Sequence, residues 1–450
     1  MKKTLTLAAW FLGAFGFQSA TAQTTSTDSI LTRASLQACI DYALGHQPLV
    51  RQSLIDQEIT ERDVRSALSA WYPQLAFNYN VQHFLKLPVT LVPVDFNNPE
   101  GPRRPTVFGV RNSSNLAFTL NQNLFSRDVL LASRTADAYR AQAGQTTVVN
   151  KIDVVVNVSK AYYDVILTER QVDLLDGDIA RLQRSLQDAT NQYQSGIVDR
   201  TDPQRARINL NNTVAQRRQT NEQVNAKYQT LKQLMGYPPT SPISLAYDTL
   251  QLANEIRLDT NRLVTPQNRI EYQLLQTQSR LLDANLRYTR QAYLPVVAAN
   301  ANYVLNYQNT TFAGLYTQNF PNSLVALTLS LPIFEGGRRT QEIRKAELQI
   351  RRLNWDVAAL SSAVDAEYAQ ALANYKGNLA NYNALQENLT LAEDVYRIIN
   401  LQYRSGIRAY LDVLIAETDL RTARIAAYNA LFQVLSSKLD VQRALGDIRF

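Results

Sequence analysis

The sequence is short of the residues from which most catalytic and metal sites are built. Its 450 residues include one cysteine and two histidines. One thiol cannot make a disulfide framework, and so few soft ligands cannot make a zinc constellation. With no nucleophile motif and no phosphate-cradling loop either, no catalytic mechanism can be written. We expect no enzyme and no cofactor. Glycine and proline are sparse, at 15 each, which excludes a disordered or low-complexity chain. Long apolar runs are missing too. The run from Leu5 to Phe17 is well short of the ~20 residues that a spanning helix needs. Any membrane crossing would therefore fall to strands. Charge is not gathered into one stripe: 46 basic and 39 acidic residues give +7, spread along the chain. That argues against a nucleic-acid partner.

The Leu5–Phe17 run reads as part of a secretory signal peptide over residues 1–22. Lys2-Lys3 precedes it and the small-residue cleavage site Ala20-Thr21-Ala22 follows. Loss of the two lysines leaves a charge near +5 (7 − 2) on the exported chain. Cys39, in Leu36-Gln37-Ala38-Cys39, looks superficially like a lipid-attachment site. The preceding Thr24–Ser35 is polar, so Cys39 is better read as a small apolar helix residue. His46 lies at a helix break and His83 near a strand end, and neither is given a ligand role.

What the chain has is a repeat. Gln192-Tyr193-Gln194-Ser195-Gly196-Ile197 recurs as Gln402-Tyr403-Arg404-Ser405-Gly406-Ile407, 210 residues later. Asp202 matches Asp412 and Gly236 matches Gly446 at the same spacing. The reading is a tandem duplication: a first repeat over 23–236, a linker over 237–265, and a second repeat over 266–450. Each Ser-Gly-Ile element reads as a helix-to-helix turn, at 195–202 and 405–411, because glycine suits the left-handed residue that ends a helix.

Within each repeat the hydrophobic period switches. Ser35 caps an amphipathic run with Leu36, Ile40, Ala43 and Leu44 on one face. Pro48 interrupts it, and a second helix runs from about Leu49 to Trp71. After Tyr72-Pro73, Leu75, Phe77, Tyr79 and Val81 alternate with Ala76, Asn78, Asn80 and Gln82, the two-residue period of a strand. A Pro-rich loop from Leu87 to Pro105 leads to a return strand with Leu116, Phe118 and Leu120 on one face, so the hairpin spans about 74–121. Helix then runs from about Ser126 to Gln194, a rod of about 100 Å at ~1.5 Å per residue. Pro203 suits the first turn of the next helix, which ends near Met235. A short helix is expected near 250–256. The second repeat has a helix from Pro266 to Tyr293 and a hairpin over about 296–331. There Val297, Ala299, Ala301, Tyr303 and Leu305 oppose Asn300, Asn302 and Asn306. Glu335-Gly336-Gly337 turns into a helix from about Arg338 to Tyr403, and a last helix ends near Leu445. In that last helix Leu411, Thr418, Ile425, Phe432 and Leu439 recur every seven residues, the spacing of a coiled-coil seam.

Four strands with one apolar and one Asn-rich face suit a barrel with a lipid-facing exterior and a watery lumen. Four cannot close, and an open edge does not survive in lipid. Three copies would give a 12-strand barrel wide enough for a channel. The fold class is thus mainly α with a β-barrel part.

These features resemble the TolC family of outer-membrane efflux proteins, over essentially the whole chain after residue 22. The twin turns Gln192–Pro203 and Gln402–Leu414 carry the resemblance, with Tyr72-Pro73-Gln74-Leu75, Leu329 to Gly337, and Leu439 to Gly446. It implies a homotrimer, held in outer-membrane lipid by a 12-strand barrel and extended into the periplasm by an α-helical barrel. It implies an inner-membrane pump and a periplasmic adaptor as partners. Export of small toxic compounds is the first expectation and a type I protein-secretion exit duct the alternative. An exported structural coiled coil is the remote third. The resemblance places a gate latch at Thr201, Asp202, Tyr403 and Arg408, with Arg408 and Asp202 the expected ion pair. It places the pore constriction at Asp412, with Ile415 where some members carry a second acid ring. It makes Ser195, Gly196, Ile197, Ser405, Gly406 and Ile407 adaptor-docking tips. Plainer readings stand beside these: solvated tip charges, a first-turn acid at Asp412, and glycine turns with no further role.

Overall fold

The structure is a computed structural model describing residues 31–94, 100–246, 252 and 255–450. The signal peptide read over 1–22 lies outside the described residues, as does most of the helix expected at 250–256. The helices are α1 (Leu36–His46), α2 (Pro48–Leu68), α3 (Arg127–Gln194), α4 (Thr201–Met235), α5 (Ile270–Arg290), α6 (Arg338–Arg404) and α7 (Tyr410–Leu445). The strands are β1 (Gln74–His83), β2 (Val89–Pro93), β3 (Arg103–Val107), β4 (Asn112–Phe125), β5 (Val296–Asn309) and β6 (Asn319–Ser330).

Local chemistry sets the ends of these elements. Ser126 caps α3, its Oγ accepting from the Asp128 N–H at 3.3 Å. Gly236 ends α4 and Gly446 ends α7, with φ of +68° and +75°. A Cβ at Gly236 would lie 2.7 Å from the His46 carbonyl oxygen, so glycine also lets this helix end pack against the α1–α2 corner. Arg269, extended between a single 3-10 turn and α5, delays the helix expected to start at Pro266. Its buried guanidinium binds Glu271 at 2.9 Å, Glu367 at 3.1 Å and the Ala444 carbonyl at 3.2 Å, which holds the second repeat's first helix to the end of its last.

The two long rods organise the packing. α3 has 68 residues and α6 has 67. The first half of α3 packs against α2 and α5, and α5 packs against α6; the second half of α3 packs against α4 and α7, and α7 against α6. The core gathers at the waist, where α1, mid-α3, the ends of α4 and α7 and the segment after Gly236 meet. Cys39, Val165, Ile166, Leu231, Met235 and Leu435 are buried there. Burial pushes the Cys39 thiol up to about 12, as befits a residue that packs as a hydrocarbon. His46 stacks on Tyr42 with ring centroids 4.0 Å apart.

At the other end, β1, β4, β5 and β6 form one antiparallel sheet in that order. The register lines up Phe77, Phe118 and Tyr303 on one face and Asn80, Asn115 and Asn306 on the other. Leu75, Leu120, Ala301 and Val325 share the apolar side.

One expectation is corrected and another is extended. The Pro-rich stretch read as a loop over 87–105 holds β2 and the start of β3, which pair with Val89 opposite Val107 and Pro93 opposite Arg103. A two-stranded ribbon is all edge, so its prolines remove no central ladder bond. In α7 the buried heptad within the protomer is Val413, Leu420, Ala427, Val434 and Val441. The stripe through Leu411, Thr418, Ile425, Phe432 and Leu439 lies beside it, partly or fully exposed. The sequence carries two neighbouring seams; the chain itself fills one along its length and the waist end of the other, where Phe432 and Leu439 pack against the core.

Candidate functional site

The ends of the two helical hairpins are built alike. In the first, the Gly196 N–H donates to the Tyr193 carbonyl at 3.0 Å and the Ile197 N–H to Gln192 at 2.9 Å. In the second, Gly406 donates to Tyr403 and Ile407 to Gln402, both at 2.9 Å. These paired bonds satisfy the last carbonyls of each rod and need a left-handed residue between them. Gly196 and Gly406 supply it, with φ of +73° and +72°. Ser195 and Ser405 add side-chain donation to Asn191 and Leu401 at 2.9 and 3.0 Å. Ile197 and Ile407 are 73% and 72% exposed. All six expected docking residues therefore lie open on the protomer's outermost turns.

Past the turns the two tips diverge. The Tyr403 hydroxyl donates to Gln192 Oε1 at 2.9 Å, linking the hairpins. Its ring lies 5.8 Å from that of Tyr410. Tyr410 is buried, and its hydroxyl accepts from Ser185 Oγ at 3.2 Å. Burial raises the Tyr403 phenol above its usual range, and the Asp202 carboxylate adds to the shift. Burial likewise raises Tyr410, and the Glu417 carboxylate adds more to the shift than Tyr403 or Asp202 does. The counterparts of Tyr403 and Tyr410 in the first hairpin, Tyr193 and Arg200, are exposed.

Arg408 goes elsewhere. Its Nη1 lies 3.6 Å from Asp412 Oδ2 and its Nε donates to Gln402 Oε1 at 3.3 Å. The ion pair expected with Asp202 is replaced, within the protomer, by one between residues a single turn apart where α7 begins. The reach is short and needs no motion of the other hairpin. Asp412, with a 35% exposed side chain, carries its own counter-charge. Thr201 is exposed, with its N–H held by Asp199 Oδ1 at 3.2 Å. Ile415 is exposed.

Sequence reasoning missed a charged layer further along the rods. Glu417 in α7, its side chain 5% exposed, faces Arg181 of α3 with Oε1 3.8 Å from Nε. Arg181 also grips Asp178, whose side chain is 3% exposed. Arg424 lies 4.0 Å from Asp178 and 2.9 Å from Glu393 of α6. Arg421 donates to Thr213 of α4 at 2.5 Å. All four rods meet in this layer. Burial lifts the Glu417 carboxyl above its usual range against the pull of Arg181 and Arg421. The signal was present: Glu417 interrupts the otherwise apolar set Val413, Ala416 and Leu420.

A family model described as "Outer membrane efflux protein" matches residues 39–237 and 267–447. The chain belongs to the outer membrane efflux protein family. The gap between the matched segments falls in the linker read between the repeats. The outer membrane protein TolC of Escherichia coli K12 is 20% identical over 416 residues, covering 89% of this chain and 80% of TolC. The probable efflux pump outer membrane protein TtgC of Pseudomonas putida is 23% identical over 428 residues, covering 89% and 83%. The open state of the Neisseria gonorrhoeae MtrE outer membrane channel shares the fold, with a TM-score of 0.67 at 20% identity over 94% of this chain and 93% of MtrE. This member of the outer membrane efflux family has its sheet at the outer membrane of a Gram-negative cell and its helical rods on the periplasmic side.

Proposed function

We propose that three copies of this chain form a passive exit duct, a homotrimer that carries small toxic compounds through the periplasm and outer membrane. An inner-membrane pump supplies the energy and a periplasmic adaptor makes the joint. The observation that carries this reading is the pair of open edges. β1 and β6 end the four-stranded sheet, and both present exposed apolar side chains, among them Phe77 and Leu327. Unpaired backbone in lipid is too costly to persist, so β6 of one copy pairs with β1 of the next. The helices repeat the pattern. α2 and α4 leave Ile55 and Ile208 exposed on one side, and α6 leaves Leu348, Trp355 and Ile398 exposed on the other.

At the periplasmic end we assign the latch to Thr201, Asp202, Tyr403 and Arg408. Tyr403 and Asp202 act between the two hairpins of one copy, and Arg408 is free to exchange Asp412 for a neighbour's acid. Asp412 and Ile415 line the constriction. Ser195, Gly196, Ile197, Ser405, Gly406 and Ile407 meet the adaptor. The chain reads as two repeats, 23–236 and 266–450, joined by the 237–265 linker, and the moving part is the second hairpin tip, with the first as its fixed counterpart.

Planar-bilayer recording tests the duct. Purified protein should conduct, and more so after Asp202→Ala with Arg408→Ala; a protein silent in both forms is no channel. A strain lacking the chain should become sensitive to dyes and detergents. Unchanged sensitivity with loss of a secreted polypeptide would instead establish the protein-secretion reading.

A further inference from the structure

The barrel end of the chain is almost free of charge, with one exception. Residues 291–334, which hold β5, β6 and their connection, contain no Asp, Glu, Lys or Arg. Residues 72–126, which hold β1 and β4, contain Lys86, Asp95, Glu100, Arg103, Arg104 and Arg111 and no others. All six lie in the β1–β4 connection. The four cations are exposed, and none forms an ion pair among the described residues.

This connection is a built element. Asn112, 2% exposed, binds His83 at 2.7 Å and the carbonyls of Asn309 and Thr310 at 3.3 and 3.1 Å, tying three strands together at their outer ends. Beyond it the Phe84 N–H donates to the Arg111 carbonyl at 2.8 Å, and β2 and β3 continue the ribbon. Leu85, 87% exposed, and Phe108 lie on the same stretch as Lys86 and Arg111. The other connection behaves differently. Its Leu315 is fully buried, and Tyr316 folds back onto Ser114 at 3.2 Å and Tyr79 at 2.5 Å.

Along the strands the order is therefore apolar rows (Leu75, Phe77), then tyrosines (Tyr79, Tyr307, Tyr316), then, beyond the end of the sheet, a ribbon with Arg103 and Arg104 on its opposite faces and Lys86 and Arg111 on the stretches leading to it beside exposed Leu85 and Phe108. That is the sequence of chemistries met on passing from hydrocarbon through the interface to a layer of phosphates. A dissolved anion would call for the cations but not for the apolar side chains set among them.

We infer that the β2–β3 ribbon is a lipid-binding arm whose Lys86, Arg103, Arg104 and Arg111 grip the phosphates of the outer leaflet's anionic glycolipid. This rests on the barrel reading above. Leu85 and Phe108 lie against the lipid while the guanidinium groups meet phosphate as paired donors. With three copies the arms encircle the barrel's outer rim and fix its height in the leaflet.

The test uses the whole protein purified in a neutral detergent and three probes: lipid A carrying both phosphates, lipid A with its phosphates removed, and inorganic phosphate. Thermal denaturation is followed for the wild type and for the variant Lys86→Gln, Arg103→Gln, Arg104→Gln, Arg111→Gln. Phosphorylated lipid A should raise the melting temperature of the wild type, and the dephosphorylated form should not. Binding should weaken by roughly fivefold for each cation removed, so the variant should lose the shift. Equal shifts in the two proteins would overturn the proposal, and so would a shift from inorganic phosphate alone. A variant that elutes as a monomer before lipid is added would also overturn it, by assigning the arm to contact between copies. The variant should still conduct in a planar bilayer, so failure here leaves the duct reading standing.

Discussion

The two hairpin tips share a backbone and differ in company. Both rods end with the same paired hydrogen bonds around a glycine, and both expose the isoleucine that follows to the same degree. Yet Tyr403 is tied to Gln192, while its counterpart Tyr193 is exposed. Position 417 is a buried glutamate in α7; the matching position 207 is an exposed arginine in α4. The turn is common to both because its geometry depends on a few local residues. The surroundings differ, because each hairpin packs against different neighbours. The second hairpin is therefore the one held in place by breakable polar contacts.

That contrast can be broken at several points. The largest effect is expected at Arg181, which compensates two buried carboxylates. Arg181→Ala should destabilise the purified protein by roughly 3 kcal/mol, since removing one partner leaves the other charges buried and uncompensated. Arg207→Ala, at the position matching Glu417, should stay within about 0.5 kcal/mol as an exposed surface change. Thermal melts of both variants decide, and similar losses would mean that the hairpins are equivalent after all. Next comes Tyr403→Phe. It removes one hydrogen bond worth about 1 kcal/mol and should raise single-channel open time, whereas Tyr193→Phe should leave it unchanged.

Glu417→Gln probes the same layer through pH. Burial holds the Glu417 carboxyl above its ordinary 4.5, so the folded state takes up that proton more readily than the unfolded chain. The associated stability is complete below 4.5 and is lost as pH rises through the higher folded value. The glutamine variant should lose this stretch of pH dependence and be slightly more stable at neutral pH. A variant whose stability falls in parallel with the wild type would remove Glu417 from the account. The smallest effect is expected for Arg408→Ser. An exposed pair contributes ~0–1 kcal/mol, so stability should barely change. Freed Asp412 carboxylates should nonetheless shift the reversal potential toward cations, and an unchanged potential would take Asp412 out of the constriction.

Much of this was legible in the chain. Alternation from Leu75 to Val81 and from Val297 to Leu305 marked strands, and the long helical periods bounded by Ser126, Gly196, Gly337 and Gly406 marked the rods. These are local signals, each set by a residue and its near neighbours. The β2–β3 ribbon escaped because prolines in a five-residue strand mask its alternation. The seam read through Leu411 to Leu439 is one of two that α7 carries, since Val413, Leu420, Ala427, Val434 and Val441 form a buried stripe beside it, and period alone does not say which of two adjacent apolar faces a given partner fills. Asp202 was expected beside Arg408 from their motif positions, but the nearer carboxylate at Asp412 wins the guanidinium. The Arg181–Glu417 layer needed residues from four rods, and no local spacing announces such a meeting.

The near-equal length of α3 and α6, 68 and 67 residues, has a consequence for how such a chain can change over time. The rods act as matched rulers measured from a common waist. A seven-residue deletion in one keeps its heptad phase but moves its tip by about 10 Å, leaving the rim ragged where a docking partner needs it level. Length changes should therefore be inherited in pairs, one in each repeat and of the same size. Lengthening both rods together would produce a taller tube with the same end.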